Sequence, residues 1–418
     1  MKETVLVIGS GYRHFREYVL RGLAERWRVV LIAAAAPDWQ LPYVADHREV
    51  DARDEAATFA AAEELAAAHP VAGVLTWEDG NVTRAAAIAA RLDVPSMPAA
   101  AALACRDKAR QRERFAAAKV PSARFALAAS EAEAIAAAAA IGFPVVLKPR
   151  GRAASVAVRI VRSAAEIRET FALVRQAESP SIEDGLVLVE EFLAGPEISV
   201  DSWVLDERVE PFAIAAKRTA YPPYFEEVAH VVGKVLDDGT EAAVREVVVA
   251  ANRALGVDRT ITHTELMLTT EGPKVVEVNG RLGGGLIPHL AELAIPGLSV
   301  GGVLGAVATG RIPAPIADPA RFVGIRFLYP EDDLLFDDLD VLAALVAEPW
   351  LHAVRRVSDP GTELRLPPRQ FLGRAGYVIA TGDEVAEVDG RMLKAAEAVV
   401  VRGEPLPAQP LTTTGAPS

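Results

Sequence analysis

The segment from His263 to Gly285, HTELMLTTEGPKVVEVNGRLGGG, constrains this chain more than any other. It divides into two strand-like runs about the turn Thr269-Thr270-Glu271-Gly272-Pro273. Folding it about Glu271 sets His263 opposite Asn279 and Glu265 opposite Glu277. Strand alternation then puts His263, Glu265, Glu277, Asn279 and Arg281 on one face. Two carboxylates directly across a strand pair repel each other and weaken the sheet. Their presence beside an Asn oxygen points to a hard divalent cation between them. Arg281 supplies a fork-shaped donor for phosphate or carboxylate. The alternative is a solvent-facing hairpin of scattered charge, since a bulge in the turn would shift the register.

Composition narrows the class. A chain of 418 residues can build several domains with substantial cores. Hydrophobic residues are 51% and charged residues 24%, ordinary values for a globular protein. The net charge of −13 argues against nucleic acid and anionic membrane as partners, and says little about nucleotides. The single cysteine, Cys105, excludes an internal disulfide framework and a cysteine-based zinc site. It reads as a small buried residue rather than a catalytic thiol, and a reducing cytoplasm is the expected location. Met1-Lys2-Glu3 leads straight into a strand-like run, with no signal peptide. The uncharged stretch Leu293–Gly310 is interrupted by Pro296-Gly297 and reads as a buried helix, not a membrane span.

Residues 1–104 alternate apolar runs (5–9, 29–33, 74–76) with alanine-rich helical patterns, as in a Rossmann-like α/β layer. Gly9-Ser10-Gly11 follows the first run, but His14 stands where the third glycine of a dinucleotide fingerprint would be. A tight strand-to-helix turn is expected there. A charged helix is expected from Arg106 to Lys119, and another over Glu131–Ala140, stopped by Gly142 and Pro144. Strands are expected at 145–148, 156–161, 186–192 and 198–205, with 149–155 a hairpin loop. Residues 313–319 form a proline-rich linker, residues 320–403 a small α/β piece, and the tail from Glu404 is expected to be disordered.

Taken together, Arg106-Asp107-Lys108, FPVVLKP (143–149), VEEFLAGPEISVD (189–201), YPPYFEEVAH (221–230) and the 263–284 segment resemble an ATP-grasp enzyme. More narrowly they resemble the carboxylate–amine ligases that join L-amino acids. The resemblance covers nearly the whole chain. It implies an ATP-grasp fold with an N-terminal Rossmann-like (pre-ATP-grasp) domain over 1–104. Two ATP-grasp subdomains would follow, 105–189 with a phosphate lid and 190–312 with the metal site, and then a small C-terminal α/β subdomain.

The resemblance also assigns roles. Lys108 and Lys148 would meet the nucleotide phosphates, with Ser155 in the lid. Glu190, Glu191, Phe192 and Leu193 would form the hinge whose backbone pairs with adenine, and Glu197 would reach the ribose. Glu265, Glu277 and Asn279 would hold magnesium, two ions in all, with manganese an alternative. Arg281 would touch the γ-phosphate and the substrate carboxylate, while Gly284 and Gly285 let backbone approach the reacting carbonyl. Glu227 would bind a substrate ammonium and His230 would lie near the reacting centre. Two departures stand out: the lid Arg150-Gly151-Arg152-Ala153-Ala154-Ser155 has one glycine where the family is glycine-rich, and Ala229 stands where a glycine is usual. Arg150 and Arg152 would either add charge to the lid or lie on its surface.

The implied chemistry is attack of a carboxylate on the γ-phosphate of ATP, then capture of the acyl phosphate by an amine. The 150–155 and 221–230 loops would close to exclude water. Amino acids or short peptides are the expected substrates, and a homodimer the default assembly. Two alternatives stay open: an ATP-grasp ligase using another carboxylate or nucleophile, and a noncatalytic nucleotide-binding protein.

Overall fold

A computed structural model describes residues 2–407 apart from 52–53, 153–155, 178–181 and 183. Ser155 and the other lid residues 153–154 therefore lie outside the described residues.

The chain opens with a parallel sheet of β1 (Thr4–Ile8), β2 (Arg28–Ala33), β3 (Asp46–Glu49) and β4 (Val71–Leu75), in the order β3-β2-β1-β4. Helices α1 (Arg13–Arg26), α2 (Glu55–Ala68) and α3 (Val82–Arg91) connect its strands and lead out of it. Every residue of β1 is buried, as a strand covered on both faces requires. β3 was not anticipated: its sequence, DHRE, is polar because it lies at the edge.

The expected helix 106–119 is present over 108–118, and a further helix precedes it. Asp107 turns out of helical geometry and accepts from the Ala109 amide, so α4 (Ala99–Arg106) ends there and α5 (Lys108–Ala118) begins. Next comes an antiparallel sheet of β5 (Phe125–Ala128), β6 (Val145–Lys148), β7 (Arg159–Val161) and β8 (Val187–Glu191), in the order β5-β8-β6-β7. It is backed by α6 (Glu131–Ile141) and α7 (Ala164–Gln176), each capped at its start by a serine, Ser130 and Ser163. β7 is shorter than the expected 156–161 strand, and the expected boundary at 189/190 falls inside β8.

The largest sheet holds β9 (Glu197–Leu205), β10 (Arg208–Ala220), β11 (Glu226–Val232), β12 (Thr260–Thr269), β13 (Gly272–Asn279) and β14 (Phe322–Leu328). Helices α8 (Asp238–Leu255), α9 (Ile287–Ala294) and α10 (Val300–Ala308) pack on it. Every residue of α10 is buried, as expected of the uncharged stretch, and no helix among the described residues is long and apolar enough to cross a membrane. The C-terminal segment adds β15 (Leu334–Val341), α11 (Ala343–Val346), β16 (Leu351–Arg356), β17 (Glu363–Leu364), β18 (Gly376–Gly382), α12 (Val385–Glu397) and β19 (Val399–Pro405). β14, β18 and β16 continue the large sheet, whose order is β13-β12-β9-β10-β11-β14-β18-β16. Only β17-β15-β19 makes a separate sheet, so the linker at 313–319 does not separate sheets. β19 runs to Pro405, which corrects a tail beginning at Glu404; residues 408–418 lie outside the described residues.

Two further expectations are revised. The segment 226–232, expected as part of a closing loop, is β11, paired with β10 on one side and β14 on the other. Strand pairing on both edges fixes its backbone, so only 221–225 is a turn segment. The 263–281 hairpin has the expected register, but by a different route. Its turn is two residues, with Thr269 paired to Gly272, which alone would set Glu265 opposite Val276. A bulge leaves Val276 unpaired and restores Glu265↔Glu277 and His263↔Asn279.

Candidate active site

The bulge is held from below. Arg112 of α5 donates through Nη2 to the Val276 carbonyl at 2.5 Å. Gln111 receives the Val278 amide at 2.8 Å and donates to its carbonyl at 2.9 Å. The residue between these clamped peptides is Glu277, so its direction is set by α5. Glu277 Oε1 accepts from Asn279 Nδ2 at 2.8 Å, and Oε2 lies 2.6 Å from Lys108 Nζ. Burial works against the Glu277 charge, but Lys108 and Asn279 outweigh it and hold the carboxyl well below its usual range. Lys108 also donates to the Arg152 carbonyl at 2.8 Å, tying the start of α5 to the lid.

On the same sheet face the charges gather about a residue that the sequence reading missed. Lys217 of β10 is buried, with Nζ at 2.5 Å from Glu197, 2.5 Å from Glu227 and 3.3 Å from Glu265. Burial disfavours the ammonium, yet three carboxylates hold its pKa well above the lysine range. Burial holds the Glu197 carboxyl above its ordinary value against the pull of Lys217. Glu227 is also opposed by burial, but Lys217 brings it down to about 2. The one available signal was a lysine interrupting the small, apolar strand Phe212-Ala213-Ile214-Ala215-Ala216.

His263 is the second residue whose partner was not foreseen. Its Nδ1 sits 2.6 Å from Asp201 on β9, and its Nε2 3.5 Å from Glu265. Burial opposes the imidazolium, but Asp201 and Glu265 raise its pKa to about 9. His263 thus flanks Glu265 as a positive neighbour. His230 behaves oppositely. It has no exposed surface, burial pushes it down to about 3, and neither ring nitrogen has a hydrogen-bond partner among the described residues. Glu227 Oε2 is 3.5 Å from its Nε2, and the Phe327 ring stands edge-on at 5.8 Å.

The C-terminal segment fixes the strand that carries Glu227. Arg374 donates to the Glu227 carbonyl at 2.9 Å and to the Tyr329 hydroxyl at 3.0 Å, with its guanidinium 3.5 Å from the Phe327 ring centre. Tyr329 in turn donates to Glu226 at 2.5 Å. None of these partners was legible beforehand, because they lie about a hundred residues or more away in sequence.

On the small sheet the balance is reversed. Glu190 is buried between Arg112, 2.7 Å away, and Lys148, 2.6 Å away. Burial opposes its charge, but the two cations hold it below the carboxylate range; burial dominates at Lys148 and lowers that pKa. The Glu190 side chain is thus an internal counter-ion. Along the expected hinge, the Glu191 amide donates to Arg124 at 2.9 Å and the Phe192 amide to Pro144 at 3.4 Å, which leaves the Leu193 amide without a backbone partner among the described residues. Arg150 is bound to Asp107 and Asp184, and Arg152 Nε donates to the Ala177 carbonyl at 2.7 Å. Arg150 is therefore committed within the fold.

The loop after β13 closes the site. Arg281 donates to the Leu282 carbonyl at 2.9 Å and lies 3.4 Å from Asp79, which also pairs with Arg106. A Cβ on Gly283 would stand 2.8 Å from His263 Nδ1, and one on Gly285, at φ +55°, only 2.5 Å from His230 Nε2. Nothing lies within 4 Å of such a Cβ on Gly284. Cys105 is buried and its thiol is pushed up to about 12 by burial, which removes it from consideration as a nucleophile.

The structure thus brings Lys108 against Glu277, sets Glu265 opposite Glu277 and places the Arg281 loop beside His263. Residues 141–289 match the ATP-grasp domain model, and the chain has the ATP-grasp fold. Its fold follows the L-amino acid ligase of Bacillus licheniformis with a TM-score of 0.81, over 97% of this chain and 100% of that one, at 21% identity. A phosphoribosylamine–glycine ligase of Streptomyces coelicolor is 29% identical over 414 residues, 93% of this chain and 90% of its own length. The alanine–anticapsin ligase of Bacillus subtilis is 26% identical over 223 residues, 49% of this chain and 47% of its own.

Proposed function

We propose that the chain is an ADP-forming ligase that joins the carboxylate of an amino acid to an amine through an acyl phosphate. The observation that carries this is the surplus of acid on one sheet face: Glu197, Glu227 and Glu265 share a single lysine, next to Glu277 and Asn279. Such a face favours cations, an ammonium at Glu227 and a metal at Glu265, Glu277 and Asn279.

The donors at the second site are all oxygens, which suits magnesium. Among the described residues no group of three or more His, Cys, Asp or Glu side chains is placed to hold a metal ion. When bound, magnesium supplies positive charge to the phosphates during transfer. Lys108 and Lys148 then orient the phosphates, with the Leu193 amide at the adenine edge and Glu197 at the ribose. Glu227 holds the ammonium of the carboxylate substrate. The carboxylate attacks the γ-phosphate, ADP leaves, and the amine attacks the acyl phosphate to release phosphate. Arg281 stabilises the charge in both steps. His230, neutral across the physiological range, can line the reacting centre without competing for the carboxylates.

A second reading comes from the likeness to the phosphoribosylamine–glycine ligase: an amino acid carboxylate joined to a phosphorylated amine. ADP and phosphate release, screened over amino acid pairs and over phosphorylated amines, separates the two. Glu277→Gln and Arg281→Ala are expected to lower that release by about a thousandfold while the melting transition is retained. Unchanged turnover in either variant would remove the site assignment.

A further inference from the structure

Arg16, in the first turn of α1, reaches out of the N-terminal sheet to the loop after β13. Its Nη1 donates to the Gly283 carbonyl at 3.1 Å, next to the Leu282 carbonyl that Arg281 holds. Two guanidiniums from chain segments about 265 residues apart therefore grip consecutive peptides of one loop. They are close enough for the Arg281 charge to depress the Arg16 pKa, an effect second to burial among those that lower it.

Each acid in the neighbourhood is committed elsewhere. Glu78 accepts from the Gly11 amide at 2.7 Å and from Asn81 at 2.8 Å. Asp79 is shared by Arg106 and Arg281. Asp201 is 2.6 Å from His263. Among the described residues no carboxylate lies within ion-pair distance of Arg16. Arg16, Arg84, Arg106 and Arg281 face Glu78 and Asp79, with Asp201 taken by His263, so the positive charges outnumber the negative ones, and a half-buried surplus of that kind favours an anion. A fork-shaped donor selects a planar, bidentate partner such as a carboxylate.

We infer that Arg16 binds the carboxylate of the amine substrate, so that the amine is a free α-amino acid rather than a simple amine. This rests on the ligase reading above. Arg16 holds the loop beside which, on that reading, the acyl phosphate is attacked. An amine within reach of that centre whose carboxylate also meets Arg16 must carry the two groups close together. The residue is thus a specificity determinant for the second substrate, and it comes from α1, a helix that connects the strands of the N-terminal sheet, outside the 141–289 match.

The test compares wild type, Arg16→Met and Arg16→Lys. Each amino acid active as the amine is set against its primary amide and its aminophosphonate analogue, with phosphate release as the readout. Arg16→Met is expected to raise KM for the amino acid by about tenfold or more and to leave the amide within about twofold. Arg16→Lys keeps the charge without the fork and should fall between; it also gives the contrast if Arg16→Met does not fold. Equal shifts for acid and amide, or none, overturn the inference and leave the ligase reading standing. A wild-type preference for the aminophosphonate overturns it in favour of a phosphate. If wild type is silent with every pair, the ligase reading falls. Arg16 is then judged by calorimetric titration of the ADP–magnesium complex with amino acids and their amides, where Arg16→Met must weaken the acids alone.

Discussion

The two ATP-grasp sheets carry charge clusters of opposite sense. On the large sheet one buried lysine, Lys217, serves three carboxylates. On the small sheet one buried carboxylate, Glu190, serves two cations, Arg112 and Lys148. The clusters meet at the Lys108–Glu277 pair. Neither cluster is electrically balanced, and an unbalanced buried cluster is retained at a cost in stability. The difference supports the proposed division of the site, in which cations would lie against the large sheet and phosphates against the small one.

The sharpest way to break this comparison is to remove each central residue. Lys217→Met strands three carboxylates and Glu190→Gln strands two cations, and each is expected to cost about 3–5 kcal/mol in urea unfolding. Magnesium should recover part of the first loss and inorganic phosphate part of the second, by binding the folded state. Recovery of both by the same ion would show that the clusters do not differ in this way.

Gly285→Ala probes how tightly the large-sheet side is closed. Its Cβ would meet the buried His230 at 2.5 Å in a left-handed backbone, for an expected loss of about 1–3 kcal/mol. A neutral effect on melting would mean that the loop can retreat from His230.

His230 also predicts a pH dependence. Its folded pKa, about 3, is below the ordinary 6.5, so between these values the unfolded chain binds a proton that the fold excludes. The stability it contributes is complete above pH 6.5 and is lost as pH falls towards 3. The slope from this group is at most about 1.4 kcal/mol per pH unit. Denaturant unfolding of His230→Gln should show a shallower decline over pH 6.5 to 4; an unaltered slope would mean the imidazole is not held neutral by burial.

The smallest effect belongs to the end of β8 on the small sheet. Glu191 meets the exposed Arg124 side chain at 3.3 Å, accepts from the Arg124 amide at 3.2 Å and lies 3.7 Å from Lys274, and Glu191→Ala should cost about 1 kcal/mol or less. A larger loss would extend the small-sheet cluster beyond Glu190.

Much of this architecture was readable from local pattern. Strand alternation placed Glu265 against Glu277, because residues that share a face repeat every second position. Apolar runs located β1, β2 and β4, and cap residues located α6. The polar edge strand β3 and the break at Asp107 were not legible, since their signals are weak without their neighbours. The hairpin register agreed for a reason the pattern did not contain: a bulge at Val276, supported by Arg112 from another helix, compensates for the shorter turn.

The amino-acid order alone determined the opposed carboxylate pair and singled out Lys108, Lys148 and Arg281 as candidates, because each sits in a motif whose members are close in sequence. The tertiary structure decided which charges share a partner. Lys217, Glu190 and Arg16 gain their significance from residues on other strands and helices, and Glu227 and His230 stand on a central strand rather than a lid. Charge interactions depend on distance and burial in space, and those are properties that the spacing along the chain does not contain.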